Sequence, residues 1–210
     1  MLTLPKKDKK GDQYLSYSQI NSFNSYKRDY IRGYFFKEEF VSNPYIDFGS
    51  LIGEALEKGD FSNFTKKEQE YLKKVPRLDS FEYEIRIEMD GWYVTGFIDS
   101  ASKDLTHIID YKTADNKKKE SYYRSPEYRQ LEIYSLAVKK DTGRLPKKVQ
   151  VIMIDRKGNS FKGEDLTLGL KTKVVNRKIT TKILQDTEEY LQKSAEEISE
   201  YYRIFNFLNE

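Results

Sequence analysis

The sequence contains no cysteine and a single histidine among its 210 residues. The absence of cysteine excludes disulfides, iron–sulfur clusters and zinc sites with cysteine ligands, and one histidine makes a zinc site untenable. No apolar run approaches the roughly 20 residues that cross a bilayer. The first ten residues also lack the apolar centre of a signal peptide. We therefore expect no membrane contact and a cytoplasmic location.

The composition is polar, with 38% apolar and 34% charged residues, but 14% aromatic residues is too many for a disordered chain. We expect a basic flexible tail at 1–13 and a single domain at 14–210. The net charge is only +3. However, residues 183–210 hold seven acidic and two basic residues, so the rest is more basic. The lysine clusters in this more basic part of the chain either keep the surface soluble or contact a phosphate backbone.

Hydrophobic periodicity predicts the order helix, helix, three strands, helix, strand, helix. Asp90-Gly91 marks a tight hairpin turn, and a second short turn makes the first three strands an antiparallel meander. The segment 157–175 is a loop or a hairpin. The predicted helices cover 15–36, 47–59, 125–140 and about 180–205, and the predicted strands cover 81–89, 92–102, 106–114 and 149–155.

Two charges interrupt the apolar strand THIIDYKTA. Side chains two residues apart share one face of a strand, so Asp110 and Lys112 point the same way. Asp99 ends the apolar run of the preceding strand and can reach the same end of the sheet across a tight turn. Two carboxylates beside a backbone carbonyl suit Mg²⁺ or Mn²⁺. With Lys112 to orient or deprotonate a water or to neutralise a phosphate, this arrangement supports metal-assisted phosphodiester hydrolysis. The alternative is a structural ion pair at a strand end.

The ordered motifs together resemble the PD-(D/E)xK nuclease superfamily, specifically its RecB-like exonuclease branch. The strand pair carries Asp99, ten residues, then Asp110-x-Lys112. The matching segments are LSYSQINSFNSYKRDYIRGYFF, FGSLIGEALEKG, GFIDS and RQLEIYSLAV. The resemblance covers about residues 14–155. It implies an α/β, restriction-endonuclease-like core, in which a mixed central sheet holds the meander plus a further strand between flanking α-helices.

The resemblance also implies the roles of individual residues. Asp99 and Asp110 would bind one or two Mg²⁺ or Mn²⁺ ions, with an oxygen from the Tyr111 carbonyl, while Lys112 serves the attacking water. Many relatives place a metal-binding histidine where this chain has Gly53, so Glu54 is the expected substitute ligand, or else a solvated helix glutamate. A helix-interior glycine at that position suggests close packing against a bound group. Without cysteines, the chain would be a cluster-free form.

Further residues would support the site or hold DNA. Gln130 and Tyr134 have the Q-x-x-x-Y spacing of the branch and share a helix face, although a buried glutamine beside a core tyrosine has the same pattern. Tyr122 and Tyr123 are candidates for stacking on bases, and Tyr128 is among the other tyrosines with that potential. The remaining supporting candidates are Ser18, Thr113, Arg124, Arg129 and the lysines at 117–119.

These observations predict a Mg²⁺- or Mn²⁺-dependent DNA nuclease, and an exonuclease in preference to a structure-specific endonuclease. By analogy, the nuclease would act in DNA recombination, repair or processing. A phage or a mobile element could encode it, and it would then act in the cytoplasm of the host. Its partners would be single- or double-stranded DNA ends. The sequence does not decide whether it also forms a homo-oligomer or binds a recombination protein. The rival from another class is an inactive, nuclease-derived module that binds DNA or protein.

Overall fold

The computed structural model describes residues 2–39, 41–115 and 120–209. A six-stranded mixed sheet lies between helices on both of its faces. None of the helices in the described part of the chain has the length and apolar character needed to cross a membrane. The strands are β1 (Tyr14–Ser16), β2 (Ser80–Glu88), β3 (Tyr93–Ala101), β4 (His107–Ala114), β5 (Lys148–Lys157) and β6 (Thr167–Asn176). The helices are α1 (Tyr17–Ser25), α2 (Lys27–Tyr34), α3 (Pro44–Lys58), α4 (Lys66–Leu72), α5 (Glu120–Arg124), α6 (Gln130–Thr142) and α7 (Thr181–Leu208).

The sheet contains the predicted meander and extends beyond it. Strands β2, β3 and β4 form the antiparallel meander. Strand β5 then pairs in parallel with β4, and β6 pairs antiparallel with β5. Strand β1 pairs in parallel with the start of β3, and β4 pairs with its end. Because a strand has two edges and β2 occupies one along its length, β1 and β4 share the other. A gap between them is therefore left on that edge of β3.

Each face of the sheet has its own core. One core joins the sheet to α1, α6 and α7 and includes Ile108, while the other joins it to α3 and α4 and includes Ile109. The alternation expected for β4 is thus confirmed, because consecutive isoleucines enter opposite cores. The fold class predicted from the sequence is confirmed as well.

Several elements differ from the sequence-based prediction. The first helix is two helices, because Tyr26 leaves the helical conformation, with φ −142° and ψ 56°, after a serine- and asparagine-rich turn. The segment 157–175 takes the hairpin alternative. Short β1, α4 and α5 were not predicted, since three to seven residues carry little periodicity.

The segment expected to be a flexible tail makes specific contacts. Leu4 is buried, and its backbone N–H donates to Oε1 of Gln13 over 2.5 Å. The N–H of Thr3 donates to Oγ of Ser199 on α7 over 2.7 Å. Leu4, which precedes the first lysine, packs into the main core and anchors this segment.

Candidate active site

The strands β3 and β4 separate just where the two predicted aspartates lie. Their ladder consists of Ser100 opposite Ile109 and Ala101 opposite Ile108. Beyond the first of these pairs, β3 continues with β1 and β2, while β4 continues with β5. Asp99 precedes Ser100 on β3, and Asp110 follows Ile109 on β4. The two aspartates are therefore the first residues beyond the Ser100–Ile109 pair, one on each strand. The eleven-residue spacing therefore places both carboxylates at this fork.

Asp99 bridges the two diverging strands. Its Oδ2 accepts a hydrogen bond from the backbone N–H of Tyr111 over 2.6 Å. Burial and the neighbouring Asp110 carboxylate raise the pKa of Asp99 to about 7, against opposing effects of Lys112 and the Tyr111 N–H. The side chain is thus an ionisable group that lacks sufficient positive charge around it.

Asp110 is wholly buried and satisfied by two side chains. Its Oδ1 accepts from Nζ of Lys112 over 2.8 Å, and its Oδ2 accepts from the hydroxyl of Tyr128 over 2.6 Å. Burial and the Asp110 carboxylate raise the pKa of Tyr128 well above its usual value, so this hydroxyl remains a donor. A buried carboxylate held by two donors has a fixed orientation.

Lys112 is a cation in this setting. Burial lowers the pKa of its ammonium, but the Asp110 and Asp99 carboxylates outweigh that effect and leave the pKa raised. About 30% of the side chain is exposed. The ammonium is consequently protonated at neutral pH and accessible at the fork, which favours charge neutralisation over proton abstraction.

Gln130 and Tyr134 extend the contacts of Tyr128. The Tyr128 hydroxyl lies 3.2 Å from Oε1 of Gln130, whose Nε2 donates to the Tyr134 hydroxyl over 2.5 Å. Gly96 of β3 lies beside the Tyr134 ring, where a Cβ would make an ordinary contact of 3.8 Å. The predicted shared helix face is present, and it adjoins the fork through a tyrosine whose role the sequence did not reveal.

Strand β2 is irregular opposite Asp99. Glu82 has a φ of +47°, a left-handed conformation that few non-glycine residues adopt. Phe81 and Tyr83 consequently enter opposite cores, although residues two apart normally share a face. In the β2–β3 register Glu82 faces Asp99 between the Phe81–Ser100 and Tyr83–Ile98 pairs. The strain thus lies beside the candidate site.

A cavity of about 620 Å³ opens between the fork and helix α3. Helix α3 adjoins β4 at Gly49, where a Cβ would lie 3.4 Å from Oγ1 of Thr113. A Cβ at Gly53 would meet nothing within 4 Å, so no protein atom packs against this glycine and the space beside it is open. The lining residues that carry charge are Glu54, Glu57, Glu82, Asp99 and Lys112.

Glu54 lines this cavity but is engaged elsewhere. It forms an i,i+4 ion pair with Lys58, and its side chain is 58% exposed. Among the described residues, no three carboxylate or imidazole side chains converge closely enough to hold a metal. The structure brings together Asp99, Asp110 and Lys112, and leaves Glu54 on the far wall.

The other predicted supporting residues lie at varying distances from the fork. Thr113 contacts Gly49, as described. Ser18 is exposed and bonds to Ser16 over 2.8 Å, while its neighbour Tyr17 has a pKa raised by burial and, in part, by Asp110. Tyr123 and Tyr128 are buried, which contradicts the expectation that they stack on bases. The lysines at 117–119 lie outside the described residues.

Arg124 and Arg129 line a different cavity, of about 460 Å³. The Arg129 guanidinium lies 3.5 Å from Glu132 and 4.5 Å from the ring centroid of Tyr190. Glu132 is buried and forms a second ion pair with Arg177. Arg129 therefore neutralises a buried carboxylate. The sequence carried no signal for the Glu132–Arg177 ion pair, because the two residues are 45 positions apart.

The carboxylates at the fork fit a hard divalent cation. The raised pKa of Asp99 arises from burial and from the Asp110 carboxylate, so a positive charge beside Asp99 would favour its ionised form. Oxygen donors match the preference of Mg²⁺ and Mn²⁺. Two carboxylates with an open cavity also suit Mg²⁺, which keeps several waters and uses few protein ligands.

Comparison with known proteins identifies the family and the fold. The sequence model of the PD-(D/E)XK nuclease superfamily matches residues 61–206. A crystal structure from Eubacterium rectale, described as a "putative exonuclease", superposes with a TM-score of 0.53 at 15% identity. That match covers 93% of this chain and 82% of the other, and it shows a shared fold. No curated protein matches the sequence.

Proposed function

This chain belongs to the PD-(D/E)XK nuclease superfamily, and we propose that it is a metal-dependent exonuclease that hydrolyses phosphodiester bonds at DNA ends. The observation that carries the proposal is the fork, where Asp99, Asp110 and Lys112 meet beside an open cavity. An ion pair at an ordinary strand end would need neither a second carboxylate nor a cavity.

Asp99 and Asp110 would hold the metal. Nucleases of this superfamily generally use divalent ions such as Mg²⁺ or Mn²⁺, and the oxygen donors at the fork suit both. The carbonyl of Tyr111 and the carboxylate of Glu54, once released from Lys58, are the proposed further ligands. A bound ion would supply Lewis acidity, lowering the pKa of water and offsetting charge on the phosphate.

Lys112 would act on the substrate through its charge. Its raised pKa keeps the ammonium protonated, so it donates to Asp110 and presents the remaining N–H groups to a phosphate oxygen. Such a fixed donor stabilises the charge that develops during phosphodiester cleavage. This assignment replaces proton abstraction, which would need an unprotonated amine.

Tyr128, Gln130 and Tyr134 would position Asp110. The Tyr128 hydroxyl fixes the carboxylate oxygen that Lys112 does not contact. Gln130 and Tyr134 in turn support the Tyr128 side of this arrangement. Replacing a residue that orients a metal ligand from behind typically costs about 10- to 100-fold in metal affinity or activity.

Support for an exonuclease comes from the description of the E. rectale neighbour and from the sequence resemblance. DNA recombination, repair or processing is the setting that the resemblance suggests. An endonuclease is the alternative within enzymes, and a non-catalytic DNA-binding module is the alternative outside them.

One assay separates these functions. The protein is incubated with end-labelled linear single- and double-stranded DNA and with covalently closed circular DNA, in Mg²⁺, Mn²⁺ or EDTA. We expect degradation of linear DNA in either metal, none in EDTA, and intact circles. Cut circles would indicate an endonuclease, and DNA binding without cleavage would overturn the enzyme proposal.

A further inference from the structure

Phe161 is a large aromatic residue that stands almost free of the protein. It lies in the hairpin loop, residues 158–166, between β5 and β6, and 84% of its surface is exposed. It is the most exposed large apolar side chain among the described residues. A single exposed apolar side chain is common on protein surfaces, but this ring is held by specific contacts on a loop of defined conformation.

The Phe161 ring is supported from one side by helix α3. Its centroid lies 5.4 Å from that of Tyr45, whose hydroxyl donates to Oδ1 of Asn159 over 3.2 Å. The same hydroxyl accepts from the N–H of Ser160 over 3.2 Å. The guanidinium of Arg156 lies 4.1 Å from the Tyr45 centroid. We refer to Tyr45, Arg156 and Phe161 as the aromatic platform.

The loop that presents the platform has a defined conformation. Gly158 has a φ of +89°, and a Cβ there would lie 2.0 Å from the carbonyl oxygen of Asp165. Oδ1 of Asn159 accepts from the N–H of Phe161 over 3.1 Å. The N–H of Gly163 donates to the Ser160 carbonyl over 3.1 Å. The exposure of Phe161 is therefore built into the turn.

The platform lies at one end of the candidate active-site cavity. Tyr45, Gly49 and Gly53 are spaced by four and share a face of α3. The cavity begins on that helix at Ile46, next to Tyr45, and includes both glycines. At 1.5 Å per residue, Gly49, which adjoins Thr113 of β4, is about 6 Å along the helix from Tyr45, and Gly53 is about 12 Å. These distances match about two to four stacked nucleotides at 3.4 Å each.

We infer that the aromatic platform stacks on a nucleobase of the single DNA strand that occupies the cavity, a few nucleotides from the bond that is cut. An aromatic face combined with cations is the chemistry that holds single strands without regard to sequence. Lys157 and Lys162 are exposed on the same hairpin and can contact adjacent phosphates. Bases inside a duplex are already stacked on their neighbours, so the platform would favour single-stranded substrates. This inference rests on the proposed function, because it assumes DNA in the cavity.

The test measures binding in EDTA, where the proposed cleavage cannot proceed. The affinity for a labelled 12-nucleotide oligo(dT) is compared among the wild type, Phe161→Ala and Phe161→Trp, by fluorescence anisotropy. Phe207→Ala is the matched control, because Phe207 is 78% exposed on α7 and does not line this cavity. We expect Phe161→Ala to bind about 5- to 150-fold more weakly, the range reported for one base–aromatic stack. Phe161→Trp and Phe207→Ala should bind like the wild type.

A second arm locates the stacked base. One abasic nucleotide is placed at successive positions of the oligonucleotide. At one position it should weaken wild-type binding by the same factor as Phe161→Ala and have no further effect in that variant. A blunt duplex should bind both proteins equally.

Two results would overturn the inference. One is equal affinity of the wild type and Phe161→Ala for the single strand. The other is a change of oligomeric state in Phe161→Ala at unchanged affinity, which would make the platform a contact between copies of the chain. Phe161-dependent binding by a protein that cleaves nothing would instead support the platform and remove the nuclease proposal, so the two failures are distinguishable.

Discussion

Replacing Asp99 with asparagine should stabilise the metal-free protein, and the gain should grow between pH 5 and pH 8. Burial and the Asp110 carboxylate raise the folded-state pKa of Asp99 to about 7, against 3.8 for an unperturbed aspartate side chain. The folded state therefore binds the proton more tightly, and stability falls as the pH rises from about 4 to 7. Each pKa unit corresponds to 1.36 kcal/mol, so ionised Asp99 costs the fold about 4 kcal/mol above pH 7. About 2–3 kcal/mol of this falls between pH 5 and pH 8.

Asparagine removes the charge and keeps an oxygen that can accept from the Tyr111 N–H. Urea denaturation in EDTA, followed through the single tryptophan, Trp92, would give the free energy of unfolding at both pH values. The wild type should lose about 2–3 kcal/mol relative to Asp99→Asn on going from pH 5 to pH 8. Asp141→Asn, an exposed carboxylate on α6, serves as the control and should follow the wild type.

Mg²⁺ should reverse the effect at pH 8. A ligand at a hundred times its Kd stabilises the folded state by about 2.7 kcal/mol, and Asp99→Asn should lose that gain. If the wild type and Asp99→Asn change in parallel from pH 5 to pH 8, burial and Asp110 do not perturb Asp99 as described. The argument that this carboxylate lacks a positive partner would then be refuted.

Three further substitutions test contacts at the candidate site and at the buried Glu132–Arg177 ion pair. Tyr128→Phe should lower the free energy of unfolding by about 1.5–3 kcal/mol in urea denaturation, because the buried Asp110 carboxylate loses a donor; an unchanged value would contradict the assigned contact. Gly53→Ala should raise stability by roughly 0.5–1 kcal/mol in thermal denaturation, since the added methyl group enters open space on a helix, and a loss would show hidden packing. Glu132→Gln should cost about 3–5 kcal/mol by leaving Arg177 buried without its charge partner, and a near-neutral result would show that water reaches the pair.

The sequence predicted the parts of the site that depend on local pattern. Alternation along β4 placed Asp110 and Lys112 on one face, and a short turn placed Asp99 at the same end of the sheet. Both follow from the period of a strand and the length of a connection, which are readable from one chain segment.

The remaining features depend on contacts that local pattern does not encode. Tyr128 contacts Asp110 because of the turn between α5 and α6, and the sequence pattern does not distinguish it from the other tyrosines that could stack on bases. The partner of Glu132 is far along the sequence. The left-handed Glu82 requires φ above zero at a residue type that rarely adopts it. The exposure of Phe161 depends on how one hairpin loop closes.

The most direct test of the account is the single-turnover rate of DNA cleavage in Mn²⁺ by the wild type and by Lys112→Ala. Lys103→Ala, an exposed loop lysine, is the matched control. The account predicts metal-dependent cleavage by the wild type and the control, and a rate reduced about 100-fold or more in Lys112→Ala. Equal rates in all three proteins would contradict the role given to Lys112. No cleavage by any of them, with DNA still bound, would contradict the proposed nuclease.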